Sequence, residues 1–386
     1  MVDILLKKFK EIFGAEAEEV YSAAGRVNLI GEHIDYCGGP VLPASLSLKC
    51  RVAVRKNGSD LFRVAATDIP LRADIDLKKT NGYKNLKWGN YQAGVADEMN
   101  KAGYNLAGLD ILYDCTVPFG SGLSSSAAIE VATAYALAKN GGNEIDKVEL
   151  AVLCKKAENN YCGVNCGIMD QFASANGKKD HAVLLDCATL EYSFVPLSLG
   201  EYALVLANCN KPHNLKESKY NERRSETEEA LRLLKGFYGV KNLCDLSSEQ
   251  LEEKRDLLIP TIFRRARHVV TECERVKRSV KALEEGDILR FGRLLCDSHR
   301  SLAEDYEVTG RELDALASTA WNYPDCIGSR MTGAGFGGCT VSLVKKSAVE
   351  DFKDKVGREY IASIGYKAAF YTAETADGII DESFGK

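Results

Sequence analysis

The sequence predicts a mixed α+β protein of two lobes with a cleft between them. Its 386 residues exceed one ordinary domain and suit two. Residues 20–75 carry short, partly alternating apolar runs of strand type, whereas the chain beyond Lys216 turns to long, charged, amphipathic stretches of helical type. A strand-rich half followed by a helix-rich half reads as layered α+β architecture.

The elements follow in order. Leu5, Leu6, Phe9, Ile12 and Phe13 recur at helical spacing with lysines and acids between them. That pattern argues for an amphipathic helix packed on its own domain rather than a targeting or membrane segment. Segments 20–24, 49–54 and 61–67 read as strands, 91–101 as a helix and 109–117 as a strand ending at Pro118. A glycine–serine turn leads into an alanine-rich buried helix over 127–139, then a second helix over 147–161. Segments 182–185 and 192–195 suggest a hairpin and 202–209 an apolar strand. Helices are expected over 217–235, 260–285 and 287–305, the last two separated by Gly286. A glycine-rich turn runs into a strand over 331–344, and a helix over 349–363 and a strand over 367–373 close the chain. The expected lobes are 1–198 and 199–386.

Bulk properties exclude several classes. A net charge of -5 lacks the basic footprint of a nucleic-acid binder. No run of about 18 apolar residues offers a transmembrane helix. Thirteen cysteines without a repeating frame suit a reducing cytoplasm better than a disulfide scaffold. Any phosphate site must therefore be built locally.

Three stretches carry chemistry. The run PFGSGLSSSAA at 118–128 lies between a strand and a helix. Gly120 and Gly122 let the backbone approach a ligand, and the free amides at the helix start make an anion site. The serines add hydroxyl donors, one of them able to ligate magnesium. It is not a Walker A loop. The run GRVNLIGEHIDYCGG at 25–39 places Arg26, Glu32, His33 and Asp35 around an apolar core, with Glu32 and Asp35 as acceptors for sugar hydroxyls. Neither His33 nor the Cys162/Cys166 pair has the partners a zinc site requires. In ENNYCGVNCGIMDQFASANG at 158–177, Glu158 falls near a helix end, and Asp170 is a lone carboxylate in an apolar context that needs a cation, with Arg26 the candidate. A fourth stretch is a decoy. Gly333, Gly335 and Gly338 spell G-x-G-x-x-G, but a strand-like CTVSLV follows where a dinucleotide fingerprint needs a helix.

Together these segments resemble the galactokinases, within the GHMP superfamily of small-molecule kinases. GRVNLIGEH with Asp35, PFGSGLSSSAA and SRMTGAGFGGCTVSLV (329–344) match its three motifs, and CGIMDQF (166–172) and SHRSLAEDYEV (298–308) agree. The resemblance implies an N-terminal lobe of the ribosomal-protein-S5-like kind and a ferredoxin-like C-terminal lobe, with the active site between them. It implies ATP-dependent phosphorylation of the anomeric hydroxyl of galactose, with ATP and Mg2+ required. Asp170 would be the catalytic carboxylate and Arg26 its partner. Glu32, His33, Ile34, Asp35, Gly167, Asp170 and Tyr220 would contact the sugar. Gly120, Ser121, Gly122, Leu123, Ser124, Ser125 and Ser126 would line the nucleotide phosphates, with Trp88 and Tyr91 near the adenosine. Ser126 and Glu158 would hold magnesium. The implied protein is cytoplasmic, a monomer or weak homo-oligomer, with small-molecule partners and neither nucleic acid nor membrane.

Ala24 stands where the family usually has proline, and Ile34 and Cys37 resemble the N-acetylgalactosamine kinase branch. Rival readings are that kinase, another GHMP kinase such as one for mevalonate, and a galactose- and ATP-sensing regulator. Glu32 to Asp35 argue for a polyol substrate over mevalonate. The retained Ser126, Ala127, Ala128 and Asp170 argue against the sensor.

Overall fold

The computed structural model describes residues 2–70, 72–211 and 216–383. Its strands are β1 (Glu19–Asn28), β2 (Pro40–Val41), β3 (Pro43–Lys56), β4 (Leu61–Ala66), β5 (Arg72–Asp76), β6 (Leu109–Cys115), β7 (His181–Asp186), β8 (Tyr192–Pro196), β9 (Tyr202–Asn208), β10 (Cys326–Thr332), β11 (Cys339–Lys345), β12 (Ala369–Ala373) and β13 (Ile380–Asp381). Its helices are α1 (Val2–Phe13), α2 (Asn90–Lys101), α3 (Ser125–Asn140), α4 (Lys147–Lys156), α5 (Met169–Asn176), α6 (Lys216–Tyr238), α7 (Ser248–Glu253), α8 (Pro260–Glu284), α9 (Ile288–Ser301), α10 (Gly310–Trp321) and α11 (Val349–Ile364).

Among the described residues the strands form three sheets. The largest has the order β13-β1-β3-β6-β4-β5 and is antiparallel except where β4 meets β6. Alternation along its strands sends residues to two faces. Tyr21, Val52, Val54, Val64 and Ile111 join the main core, on the side where α3 and α5 pack against β1. Val20, Ala53, Ala65 and Leu112 face the other way and are covered by Leu5 and Phe9 of α1. The opening amphipathic stripe thus serves its own domain. A four-stranded antiparallel sheet, β10-β11-β9-β12, carries α9, α10 and α11. The expected hairpin β7–β8 forms with β2 a third, small sheet.

The chain does not stay in its second half. Beyond β12, Glu374 and Ala376 hydrogen-bond Ser47 and Ser45 of β3, and β13 pairs with β1. There the Glu382 carboxylate accepts from Ser22, Lys49 and Arg51.

Two features aim the functional groups. Between Ala24 and Arg26 the β1–β3 register shifts, a bulge at Gly25. A Cβ at Gly25 would stand 2.9 Å from Val117 Cγ2 and 3.0 Å from the Leu123 carbonyl. The bulge lets β1 lie against the loop ahead of α3, and the Arg26 amide donates to Leu123 O (3.1 Å). In addition, the helices expected over 147–161 and 287–305 each end in a π-helical turn, at Ala157–Cys162 and Leu302–Tyr306. Such turns re-aim side chains at helix ends.

Because α1 lies on the sheet face away from α3 and α5, its loss should affect stability alone. Phe9→Ala is expected to cost about 3–5 kcal/mol. The thermal midpoint should fall while the substrate KM values of the folded protein stay unchanged. A shift in KM would show that α1 communicates with the opposite face.

Candidate active site

The loop before α3 is shaped by its glycines and serines. Gly120 and Gly122 take φ of 68° and 78°, and Ser124, the residue before α3, takes φ 61°. Ser121 and Leu123 point inward and are fully buried. The Ser121 hydroxyl donates to Pro118 O (2.7 Å) and accepts from the Leu123 amide (3.3 Å). These two residues hold the loop's form, and its outer rim is left to the others.

Arg26 comes off the β1 bulge beneath this loop. Its guanidinium donates through Nε (2.9 Å) and Nη2 (2.7 Å) to Oδ1 of Asp170, in the first turn of α5, and through Nη1 to the Gly122 carbonyl. Ser124 donates to the other Asp170 oxygen, Oδ2 (2.6 Å). Ser124, expected among the phosphate contacts, thus has its hydroxyl on the carboxylate. The Arg26 side chain is 3% exposed and that of Asp170 30%, so the acid alone opens to solvent.

Asp170 opens into a cavity of about 210 Å3 that is also lined by Arg26, Glu32, His33, Asp35, Glu158, Gly167, Tyr220, Gly333 and Ala334. Glu32 is buried. It accepts from the Gly333 amide (2.7 Å) and pairs with Arg330 Nη2 (3.3 Å). Burial raises its carboxyl, opposed by Arg330 and Arg26. Asp35 begins a short helical turn after Ile34. Burial, then repulsion from Asp170, pushes its carboxyl to about 7. A Cβ at Gly167 would stand 1.7 Å from Asp35 Oδ2, so only glycine admits the carboxylate there.

His33 takes φ 61° and lines the cavity with both ring nitrogens already engaged. Nε2 lies 3.1 Å from Ala334 O and therefore donates; Nδ1 then accepts from the Tyr36 hydroxyl (2.8 Å), itself 2.7 Å from Tyr306 Oη. Burial lowers the His33 pKa to about 3, so the ring is neutral. The Tyr220 ring packs on His33 and Tyr36, each at 5.5 Å between centroids. Ile34, expected at the sugar, does not reach the cavity; its side chain is fully buried in the main core and its carbonyl accepts from Cys37 and Gly39.

On the far side of Asp170, the π turn delivers Glu158 toward α3. Its carboxylate accepts from Gln171 Nε2 (2.6 Å) and from the Ser126 hydroxyl, so the structure brings together the two residues expected at a metal. Burial, then Asp170, pushes the Glu158 carboxyl to about 7. Glu130, one turn along α3 from Ser126, was not foreseen. It is fully buried, Gln171 Nε2 bridges it (3.0 Å) to Glu158, and burial, then Glu158, raises its carboxyl well above the usual range. Its signal was a single acid inside an alanine-rich buried helix. Arg330, also missed, was an arginine in an apolar strand beside a glycine-rich turn.

A second cavity, about 250 Å3, lies across the loop. Trp88, Tyr91, Gln92, Tyr113, Cys115, Pro118, Phe119 and Ser125 line it, and Phe119 is 83% exposed. The decoy motif walls the first cavity. Gly333 and Gly338 press on the loop before α3: a Cβ at Gly333 would stand 2.9 Å from Gly122 O, and one at Gly338 3.0 Å from Ser121 O. Strand β11 follows, as the sequence required of a non-dinucleotide site.

Comparison with known proteins identifies the family. Residues 7–56 match the galactokinase galactose-binding signature, 90–178 the GHMP kinase N-terminal domain and 279–362 the GHMP kinase C-terminal domain. The chain is 48% identical to the galactokinase of Clostridium tetani over 380 residues, 98% of this chain and 97% of that one. It is 45% identical to that of Lactiplantibacillus plantarum over 378 residues, 97% and 98% of the two chains. The crystal structure of Lactococcus lactis galactokinase complexed with galactose matches with a TM-score of 0.96 at 41% identity, covering 98% of this chain and 99% of that one. A mevalonate kinase, at 17% identity and a TM-score of 0.63, shares the fold. With relatives this similar along nearly its whole length, the chain belongs to the galactokinase family, on the two-lobed α+β GHMP kinase fold.

Proposed function

We propose that the chain transfers the terminal phosphoryl group of ATP to the anomeric hydroxyl of galactose, giving galactose 1-phosphate and ADP. One observation carries the reading: a carboxylate held by a buried arginine in the wall of a hexose-sized cavity, hydrogen bonded to a glycine–serine loop. Glu32, Asp35 and Asp170 supply hydroxyl acceptors in that cavity. Trp88 and Tyr91 would flank the adenine in the second cavity. Gly120, Gly122, Ser125 and Ser126 would meet the phosphates between the two. The test is ADP release with a panel of sugars, with phosphorus NMR of the product. Turnover of galactose far above glucose, and phosphate on C1, is expected. Preferred use of N-acetylgalactosamine would overturn the substrate. The two departures resembling that branch, Ile34 and Cys37, are both buried and line neither cavity.

Asp170 is the proposed base. Its Oδ1 is taken by the Arg26 fork, whereas Oδ2 accepts one bond from Ser124 and keeps capacity for the sugar hydroxyl. Arg26 touches both the carboxylate and the phosphate loop, so its charge lies where the moving phosphoryl group would pass. Phosphoryl transfer asks for such positioning and charge neutralisation more than for covalent chemistry.

Magnesium fits the remaining groups. Ser126 and Glu158 are hard oxygen donors, the set this ion takes together with substrate phosphates and water. Among the described residues no lysine or arginine pairs with Glu158 or Glu130, and Glu130 Oε1 and Gln171 Oε1 are buried without partners. Buried acids without a counter-charge suit a bound cation. When bound, the ion would neutralise charge on the ATP phosphates.

Three outcomes check these roles. Asp170→Asn should lower turnover by about 10²–10⁴-fold with nucleotide affinity nearly intact. Arg26→Lys should also fail, and the double variant should lose far less than the sum of the two single losses. Additive losses in single-turnover rates would mean the two residues act independently. Ser126→Ala and Glu158→Gln should weaken magnesium-dependent binding of a non-hydrolysable ATP analogue in calorimetry as well as raise the magnesium requirement of turnover. Unchanged titrations in both would remove the metal assignment.

The third concerns Asp35. Its folded pKa of about 7 lies above its ordinary 3.8. Between these values the folded state holds more protons, so the stabilising contribution is complete below 3.8 and lost as pH rises through 7. Asp35→Asn should therefore stabilise the free protein most at pH 8, with the gain shrinking toward pH 4. The same variant should bind galactose about 10- to 100-fold more weakly, having lost a charged acceptor. A pH-independent change in thermal midpoint would remove the electrostatic account.

A further inference from the structure

Strands β3 and β6 set Cys50 directly opposite Cys115. The next rung is hydrogen bonded, Thr116 N–H donating to Lys49 O (2.8 Å). Hydrogen-bonded and non-hydrogen-bonded rungs alternate, so the cysteines fall on a non-hydrogen-bonded rung, where opposed Cα atoms lie about 4.5 Å apart. That spacing is within the range a disulfide spans. The two thiols share one face of the sheet and shift each other's ionisation; all thirteen cysteines of the chain are thiols in this structure.

The two sulfurs differ in access. Cys50 is fully buried, whereas Cys115 is partly exposed and lines the cavity of Trp88, Tyr91 and Phe119. Its Sγ also lies 3.8 Å from the Val117 carbonyl, at the root of the phosphate loop. The Cys50 thiol opposite it holds the Cys115 thiol below its usual range, against the opposing effect of burial.

We infer that Cys50 and Cys115 form a peroxide-oxidisable dithiol that opens on the Trp88 cavity, Cys115 being the sulfur attacked and Cys50 the one that resolves it. In the first step the Cys115 thiolate displaces at a peroxide oxygen. The O–O bond breaks, Cys115 becomes a sulfenic acid, and hydroxide leaves as water after taking a proton. In the second step Cys50 sulfur attacks Cys115 sulfur. The S–S bond forms, the S–O bond breaks, and a second water departs with the Cys50 proton. Two thiols and one peroxide thus give one disulfide and two waters. Because entry is through the cavity, an adenine nucleotide seated there shields the pair; this shielding rests on the nucleotide reading proposed above.

The test is hydrogen peroxide added to the fully reduced chain, with and without a non-hydrolysable ATP analogue and magnesium, followed by peptide mass mapping without reductant. The expected product is a peptide pair joining Cys50 to Cys115, two hydrogens lighter than the reduced pair. Cys50→Ser should stop the reaction at a Cys115 sulfenic acid, trapped by a cyclic dione. Cys115→Ser should leave Cys50 unreacted. Saturating analogue should slow formation of the linked pair by about tenfold or more. Linkage that the analogue does not slow would keep the dithiol and overturn the nucleotide reading of the cavity. Cys50 and Cys115 left reduced while other cysteines oxidise would overturn the dithiol, as would oxidation of Cys50 in Cys115→Ser at an undiminished rate.

Discussion

The pairing of Arg26 with Asp170 is the constraint around which the site is arranged. A guanidinium buried this deeply is costly to desolvate, and the ion pair alone need not offset that cost. Arg26 is accommodated because three donors find acceptors, two on Asp170 Oδ1 and one on the Gly122 carbonyl. Each acceptor comes from a different part of the chain, so satisfying one side chain fixes three segments: the bulged β1, the loop before α3 and the first turn of α5. The bulge at Gly25 is the enabling defect, since a side chain there would collide with Val117 and the Leu123 carbonyl.

Around that pair the charges do not balance. Glu32, Asp35, Glu130, Glu158 and Asp170 crowd two buried arginines, Arg26 and Arg330. Repulsion from Asp170 contributes to the upward shift of both Asp35 and Glu158. A structure built for stability alone would neutralise such groups or replace them with apolar ones. Their retention makes sense for a site that the proposed ligands complete, a sugar bringing hydroxyl donors on one side and, on the reading proposed above, a cation with phosphates on the other. His33 shows the opposite economy. With both nitrogens committed within a Tyr306–Tyr36–His33–Ala334 chain, it stiffens the wall that Glu32 and Asp35 project from.

Much of this was legible in the sequence because it depends on local chemistry. Apolar periodicity placed α1, α3, α8 and β9, and glycine and serine spacing marked the loop before α3. Asp170 stood out as a lone charge among apolar neighbours. What stayed hidden depends on tertiary contact. The short α5 and β10 have weak periodic signals and are stabilised by packing. Ser124 reads like its neighbours until the left-handed backbone turns its hydroxyl to Asp170. Ile34 lies between two polar residues of the second motif, and only the turn geometry sends it into the core. Glu130 and Arg330 are buried by elements far away in sequence, so no local window gives their partners.

The glycines of the third motif show how a string acquires its meaning. Gly333, Gly335 and Gly338 all take positive φ, as glycines of a dinucleotide fingerprint also can. In that fingerprint the backbone is freed so that phosphate can approach the start of a helix. Here what approaches is protein. Gly122 and Gly333 meet with no space for a Cβ between them, and the Gly333 amide that the turn exposes goes to Glu32. The same conformational freedom therefore docks one lobe's loop on the other's and orients a cavity carboxylate. Strand β11 follows because the segment must continue into the sheet beside β9 and β10. A helix there would remove one of the two inner strands of that sheet, and with it part of the surface on which α10 and α11 pack. The residues after the motif, not the glycines within it, decide which of the two uses the backbone serves.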